Sequence, residues 1–385
     1  KVAPPEMKTY EMNDRIADMF EAAMNTLVKD LTYARYQAIA YLLPEKSEGL
    51  YDNAELISRS LASIRKNGLV KRLESSFYAF KKSLRTLLRI TTDMIKMFEA
   101  NKVIIAPELK VKDLQAKDME LDEIIEYALN KGYEVDDILY EADAFQPVFL
   151  QMLHNDKNVL ERLNQDWEQE NDDPKFDLFR RKLETEFMKT DINPSGKLVL
   201  FSESVDTLTY LQERLTQELG RNDVLMVTAS NRNRLGQVIK ENFDANYQSD
   251  SRRYNLIITS DVLAEGVNLH RSNVIVNYDS PWNATRLMQR IGRVNRIGSV
   301  APCIYNYMFY PSQQGDKEIK LYKNALVKLQ GFHSAFGEDA QIYSKEEIVG
   351  VAYELIRKEG SSALTARHLA AALGTSTAPI FTAFE

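Results

Sequence analysis

The chain has 385 residues, of which 27% are charged, and a formal net charge of −7. That length predicts two or three domains with ample buried core, and the acidic balance excludes a globally basic nucleic-acid binder, so any basic surface must be local. The single cysteine, Cys303, excludes an internal disulfide framework and fits a reducing, cytoplasmic setting, and no apolar run is long enough for a membrane span. The four histidines (His154, His270, His333, His368) are scattered and show no metal-ligand spacing, so no metal site is expected. Because the first residue is Lys1, the sequence is expected to be a piece of something longer.

Residues 1 to about 190 read as an almost entirely helical region. Helices are expected over Asn13 to Asp30, opening on an asparagine cap, and over Asn53 to Lys66. The clearest stripe carries Leu69, Leu73, Phe77, Phe80, Leu84, Leu87, Thr91, Met94 and Phe98, in steps of four and three that predict one long helix. The acidic run from Asp166 to Asp173 reads as solvated surface, and Pro174 as the first turn of a new helix.

The pattern changes at Asn193-Pro194-Ser195-Gly196. Short apolar runs at Lys197 to Phe201, Val224 to Val227, Leu256 to Thr259, Val274 to Asn277 and Ile304 to Phe309 now alternate with amphipathic segments. The latter cover Val205 to Leu219, Arg232 to Phe243, Asp261 to Glu265 and Asn283 to Ile291. Such alternation predicts an α/β domain, over about residues 191–335, with a mostly parallel sheet covered by helices on both faces. Ligand-handling residues are then expected in loops at the carboxyl ends of strands. The remaining stretch, 346–385, predicts a short helical segment: Ile348 to Arg357, Thr365 to Leu373 closed by Gly374, and Ser376 to Phe384. Two of these helices around a glycine turn make a candidate helix-turn-helix.

A phosphate-cradling loop of the form G-x-x-x-x-G-K-[ST] is missing. Pro194-Ser195-Gly196-Lys197 comes nearest, but it precedes a strand and lacks the other glycine and the hydroxyl. Asp122-Glu123 and Asp136-Asp137 lie in helical surroundings, not after an apolar strand. The chain alone is therefore expected not to hold Mg-ATP. What it does carry is a donor array: on a helix running on from Trp282, Gln289, Arg293 and Arg296 at i, i+4 and i+7 share one face. Such an array suits a transferring phosphoryl group, whose transition state spreads negative charge over several oxygens.

Three ordered blocks carry a resemblance. Gly266-Val267-Asn268-Leu269, Asp279-x-x-Trp282-Asn283 and Arg293-Val294-Asn295-Arg296-Ile297-Gly298-Ser299 resemble motifs V, Va and VI of superfamily 2 helicases. They are most similar to the Swi/Snf-type branch with its bacterial RapA-like members, with Ala284 and Ser299 replacing that branch's proline and glutamine. Lys197 to Ser202 resembles its motif IV strand, and Lys71-Arg72-Leu73-Glu74-Ser75-Ser76 with Ala79-Phe80 resembles a segment of some bacterial helicases in the branch. There Arg72 and Glu74 would contact the motor core or DNA.

The resemblance implies a RecA-like C-terminal lobe of an ATP-dependent DNA helicase or translocase. ATP and Mg would be held mainly by an N-terminal lobe absent from this chain, which alone would be inactive. Arg293 and Arg296 would be arginine fingers, and Gln289 would orient water or phosphate. Gly266, Asn268 and Glu265 would border the nucleotide, Asn268 near the ribose. Ser260, with Thr259 and Ser202, would meet a nucleic-acid backbone. Arg286 and Arg290, a turn away from the finger face, would be structural or backbone-binding. Residues Ala352 to Thr377 also resemble the DNA-binding end of tetracycline-repressor-family regulators, with Thr365 and Arg367 on phosphate and Ser376 opening the recognition helix. Two alternatives stay open at this level: a non-catalytic nucleic-acid-binding scaffold, and a transcriptional regulator led by the C-terminal helices.

Overall fold

The computed structural model describes residues 2–47, 54–105, 139–248, 251–264, 266–279, 284–296 and 298–311. The three helices expected within 346–385, and the acidic pairs at 122–123 and 136–137, lie outside the described residues. The chain divides into two compact units, one holding Asn13–Asp173 and the other holding the residues up to Met12 and those from Pro174 onward.

The Asn13–Asp173 unit is helical. Helix α1 (Asp14–Asn25) opens as expected, with the Asn13 side chain accepting from the Ile16 amide at 2.9 Å, and winds into a wider π-type turn over Thr26–Asp30. The long apolar stripe is two helices and not one, α2 (Ala54–Ser75) and α3 (Phe77–Glu99). Ser76 between them is extended (φ −161°, ψ 150°), and its hydroxyl accepts from the Ala79 amide at 3.1 Å, so a serine cap restarts the helix without disturbing the apolar period. Leu73 in α2 and Phe77, Phe80, Leu84, Leu87, Thr91, Met94 and Phe98 in α3 are all buried. A two-residue antiparallel pair, β2 (Val103–Ile104) with β3 (Leu139–Tyr140), precedes α4 (Pro147–Glu168). Trp167 of α4 meets the edges of Phe77 and Phe80 at 4.9 and 5.2 Å between ring centres.

Buried Asp156 on α4 accepts from the amides of Thr32 and Ala34 at 2.8 Å each. It thereby holds Tyr33 between them in a left-handed conformation (φ 56°) that a side chain rarely adopts. The acidic run after α4 is not simply solvated. Glu170 and Asp173 are buried, Glu170 pairing with Arg15 at 2.5 Å while its carbonyl accepts from Lys81 at 2.7 Å.

The second unit is an α/β fold: a six-stranded, all-parallel sheet flanked by helices. Its strands are β1 (Glu6–Tyr10), β4 (Leu198–Phe201), β5 (Val224–Val227), β6 (Leu256–Thr259), β7 (Val274–Asn277) and β8 (Tyr305–Pro311), in the order β1-β8-β7-β4-β6-β5. All residues of β4, β6 and β7 are buried, as continuous apolar strands covered on both faces must be. The helices are α5 (Pro174–Lys182), α6 (Val205–Leu219), α7 (Arg232–Phe243) and α8 (Ala284–Val294).

The boundary expected near residue 190 falls elsewhere, for two physical reasons. Strand β1, read as part of the helical region, pairs in parallel with β8, Lys8 lying opposite Phe309. Lys8 itself is buried and bonded to Glu186 at 2.5 Å, so its charge is matched inside the unit. On the same side of the chain division, α5 and the turn after it supply Phe179 and Phe187, which pack against Tyr278, Tyr307 and Phe309. The sequence pattern around Pro174 is helical, but the partner of that helix is the sheet.

Replacing Ser76 with alanine should cost the helical unit about 1 kcal/mol through loss of the cap at the α2–α3 break. Urea unfolding followed by the fluorescence of the buried Trp167, which touches Phe77 and Phe80, would measure it; no change in midpoint would show that the break is held by packing alone.

Candidate nucleotide and nucleic-acid site

In a parallel sheet each helix returns from the carboxyl end of one strand to the amino end of the next. That rule distributes the candidate residues over two places and not one. At the carboxyl ends of β4, β6 and β7 the chain gathers Ser202, Glu203, Thr259, Ser260, Asp261 and Asp279. Asp279 accepts from the Ser202 hydroxyl at 2.6 Å and from the Glu203 amide at 3.0 Å, locking the turn after β4 onto the turn after β7. Ser204 then caps α6, its hydroxyl accepting from the Thr207 amide at 3.2 Å.

Ser202 and Thr259 are completely buried, and the Thr259 hydroxyl is spent on the Ser260 carbonyl at 3.0 Å. Neither presents a hydroxyl to a nucleic-acid backbone in this conformation, a correction that follows from both faces of β4 and β6 being covered. Ser260 is half-buried at the head of the single turn Asp261–Leu263, shorter than the helix expected over Asp261 to Glu265. It is the one of the three that retains an accessible side chain.

Asp261 is the centre of this edge. Arg290 donates through Nε to its Oδ1 at 2.7 Å, Arg286 through Nη1 to its Oδ2 at 2.6 Å, and Arg290 also reaches the Asn277 side-chain oxygen at 2.9 Å. Asn277 in turn donates to Asn306 on β8 at 2.7 Å, and the Arg290 guanidinium lies 5.0 Å from the centre of the Phe201 ring. Burial alone would raise the Asp261 carboxyl, but the two arginines outweigh it and hold it below the usual carboxylate range. Arg290 is fully buried, so of the two roles open to it the structural one is what the geometry shows. Arg286 is half-exposed and pairs with the same carboxylate.

Further along α8, Leu287, Ile291 and Val294 form the stripe that faces the sheet, which leaves Gln289 and Arg293 half-buried on a neighbouring face. The helix stops at Val294, so Arg296 is not its next turn. A loop held by the Ser299 hydroxyl, which accepts from the Arg296 amide at 3.2 Å and donates to the Val294 carbonyl at 2.9 Å, carries Arg296 instead. The three-residue stack expected from helical spacing therefore holds for Gln289 and Arg293 alone.

The loop delivers Arg296 to the side chain of Asn268: Arg296 Nη1 donates to Asn268 Oδ1. Asn268 Nδ2 donates to Asp244 Oδ2 at 3.2 Å, and the Leu269 amide donates to the Arg293 carbonyl at 2.9 Å. Two of the resembling blocks, far apart in sequence, thus meet side chain to side chain. They do so toward the amino ends of β6 and β7, away from the Asp261 edge, because α7 and α8 both run back across the sheet before reaching it. Gly266, at φ +71°, makes the turn that leads in, and a side-chain carbon there would sit 2.7 Å from Arg232 Nη2. Glu265 lies outside the described residues, as do Trp282 and Asn283.

The sequence offered no signal for Asp244 or His270, the remaining members of this group. His270 is fully buried, its Nδ1 lies 3.8 Å from Asp244 Oδ1, and neither ring nitrogen has a hydrogen-bond partner among the described residues. Burial pushes its pKa down; Asp244 opposes this, and Arg296 and Arg271 add to it. Among the described residues no group of three or more His, Cys, Asp or Glu side chains could hold a metal ion, and no helix is long and apolar enough to cross a membrane.

Residues 175–298, within the α/β unit, match the family described as the helicase conserved C-terminal domain. The chain is 30% identical over 155 residues to the Bacillus subtilis (strain 168) protein named uncharacterized ATP-dependent helicase YqhH, a match covering 40% of this chain and 25% of that one. It is 28% identical over 122 residues to the Caenorhabditis elegans ATP-dependent RNA helicase cgh-1, covering 32% of this chain and 26% of that one. The chain thus spans about a quarter of the length of these curated relatives. Among solved structures, the C-terminal part of the Fun30 ATPase domain aligns over 86% of this chain and 98% of that one, at 14% identity and a TM-score of 0.37.

Replacing Arg290 with methionine should destabilise the α/β unit by about 3 kcal/mol or more, because Asp261 and Asn277 lose their shared partner inside the protein; denaturant midpoints of the parent and the variant would show it. A second expectation concerns pH. A buried histidine with a depressed pKa contributes stability that is complete above its unfolded value of about 6.5 and is lost as pH falls through that value toward the folded one. Unfolding free energy should therefore decline between about pH 7 and 5.5, above the carboxylate range, and His270→Gln should flatten that part of the profile.

Proposed function

We propose that the α/β unit is the second motor lobe of an ATP-driven nucleic-acid helicase or translocase of the Swi/Snf type, supplying arginine fingers to ATP held by a partner lobe. The observation that carries this reading is the junction of Asn268 with Arg296. It brings the Gly266–Leu269 block and the Arg293–Ser299 block into one donor-rich group at the end of α8. The helicase C-terminal domain match over residues 175–298 supports it independently.

The division of labour follows from the two places described above. At the α8 end, Arg293 and Arg296 offer guanidinium groups, whose planar forks suit phosphate oxygens, and Gln289 on the same helix would orient water or phosphate. Gly266, Asn268 and Glu265 would border the nucleotide. ATP supplies the phosphoryl group and its magnesium neutralises part of the charge; the donors here are cationic or amide, so the carboxylates for magnesium would come from the partner lobe. At the carboxyl edge, Ser260 would meet the nucleic-acid backbone, and Arg286, half-exposed and paired with Asp261, would join it. Thr259 and Ser202 would support that loop from beneath. Both places lie on α8 or on loops tied to it, so closure at one would be felt at the other.

The preferred track is duplex DNA, on the strength of the Swi/Snf-like spelling of Gly266-Val267-Asn268-Leu269 and Asp279-x-x-Trp282-Asn283. RNA is the competing track, since cgh-1 is named an RNA helicase. The test is nucleic-acid-stimulated ATP hydrolysis by the full-length protein, with duplex DNA and RNA offered separately. Arg293→Ala and Arg296→Ala should each lower kcat by on the order of a thousandfold while leaving nucleic-acid binding intact. Full activity in the double variant would sink the finger assignment, and stimulation by RNA alone would overturn the choice of DNA.

A further inference from the structure

An asparagine side chain has two unlike ends, an oxygen that only accepts and a nitrogen that only donates. In Asn268 both ends are used within this chain, the nitrogen toward Asp244 Oδ2 at 3.2 Å and the oxygen toward Arg296. Asp244 and Arg296 leave no choice in the matter: an ionised carboxylate only accepts, and a guanidinium only donates. The carboxylate therefore sets which way the amide of Asn268 points, and the amide presents its oxygen to Arg296. Asp244 is itself fixed, because its other oxygen, Oδ1, accepts from the backbone amide of Asn246 at 2.9 Å. The chain of orientation starts at a peptide group and ends at a guanidinium.

The backbone on the Arg296 side is equally determined. Ser299 closes the loop behind it, and Gly298 (φ +90°) lets that loop lie against Asn246 and His270, within 3.4 Å and 3.7 Å of where a side-chain carbon would be. Asp244 and Asn246 belong to none of the three resembling blocks.

We propose that Asp244 is a positioning residue for Arg296, acting through the amide of Asn268. The proposal rests on the reading of Arg296 as a finger. Donors oriented before the reaction cost no reorganisation when charge develops, which is the advantage such a relay confers.

The geometry specifies the test. In Asp244→Asn the new amide oxygen accepts from the Asn246 amide, so its nitrogen faces Asn268. Asn268 must then turn its oxygen inward and its nitrogen toward Arg296, donor against donor. Adding Asn268→Asp restores the pattern, because a carboxylate at position 268 accepts both from the new amide at position 244 and from Arg296. In the 385-residue chain, the Arg296 Nη1–H signal in proton–nitrogen spectra, whose proton is bonded to Asn268 in the parent, should be lost to fast solvent exchange in Asp244→Asn and return in the Asp244→Asn, Asn268→Asp pair. In the full-length protein, kcat for ATP hydrolysis should fall about tenfold in the single variant with KM little changed, and recover in the pair. An unchanged Arg296 signal in the single variant, an increase in kcat, or no recovery in the pair would each overturn the proposal. Full activity in Arg296→Ala would instead defeat the finger reading, while the spectra would still decide whether Asp244 orients Arg296.

Discussion

Arg290 sits under α8 with no exposed surface, and its guanidinium bridges Asp261 after β6 and Asn277 at the end of β7, over the ring of Phe201 on β4. Three strands and the helix that crosses them are thus fixed to one buried cation, and the α/β unit depends on it. A charge in this place is costly to desolvate and is tolerated only because a carboxylate and an amide satisfy it. The consequence is rigidity where the unit needs it: the axial position of α8 is set at its middle, so its far end is delivered to the Asn268 loop in a determined register.

Everything at that far end is a matter of direction. The last helical residue is Val294, and Arg296 follows in a loop shaped by Ser299 and Gly298. A guanidinium on a free loop would sample many orientations, and ordering it would oppose any interaction it makes. Asn268, held by Asp244, removes much of that freedom in advance. The same group includes His270, whose pKa burial pushes down while Asp244 opposes it.

The helical unit has its own fixed point in Asp156, which binds the backbone on both sides of Tyr33. It also shows how a short polar residue can redirect a helix without disturbing its core. Ser76 ends α2 and caps α3, while the buried residues on either side keep their spacing. A periodic apolar stripe reports which residues face the core and is blind to a break of this kind, because the cap consumes one residue and the stripe continues.

The strands and helices of the α/β unit were legible in the sequence: four-residue apolar runs separated by amphipathic segments fold as buried parallel strands with covering helices, and β5, β6 and β7 fall where those runs do. So was the concentration of donors at Arg293 and Arg296. The sequence did not contain the sixth strand, because β1 acquires meaning only when β8 accepts it as a neighbour. Nor did it show that Ser202 and Thr259 are covered, or that Arg290 is an internal strut and Asp244 a partner of Asn268. Local pattern determines which residues must be buried and where a helix or strand can run. Which carboxylate meets which guanidinium is decided by the crossing of distant segments, and here only the return of α7 and α8 across the sheet brings Asp244, Asn268 and Arg296 together.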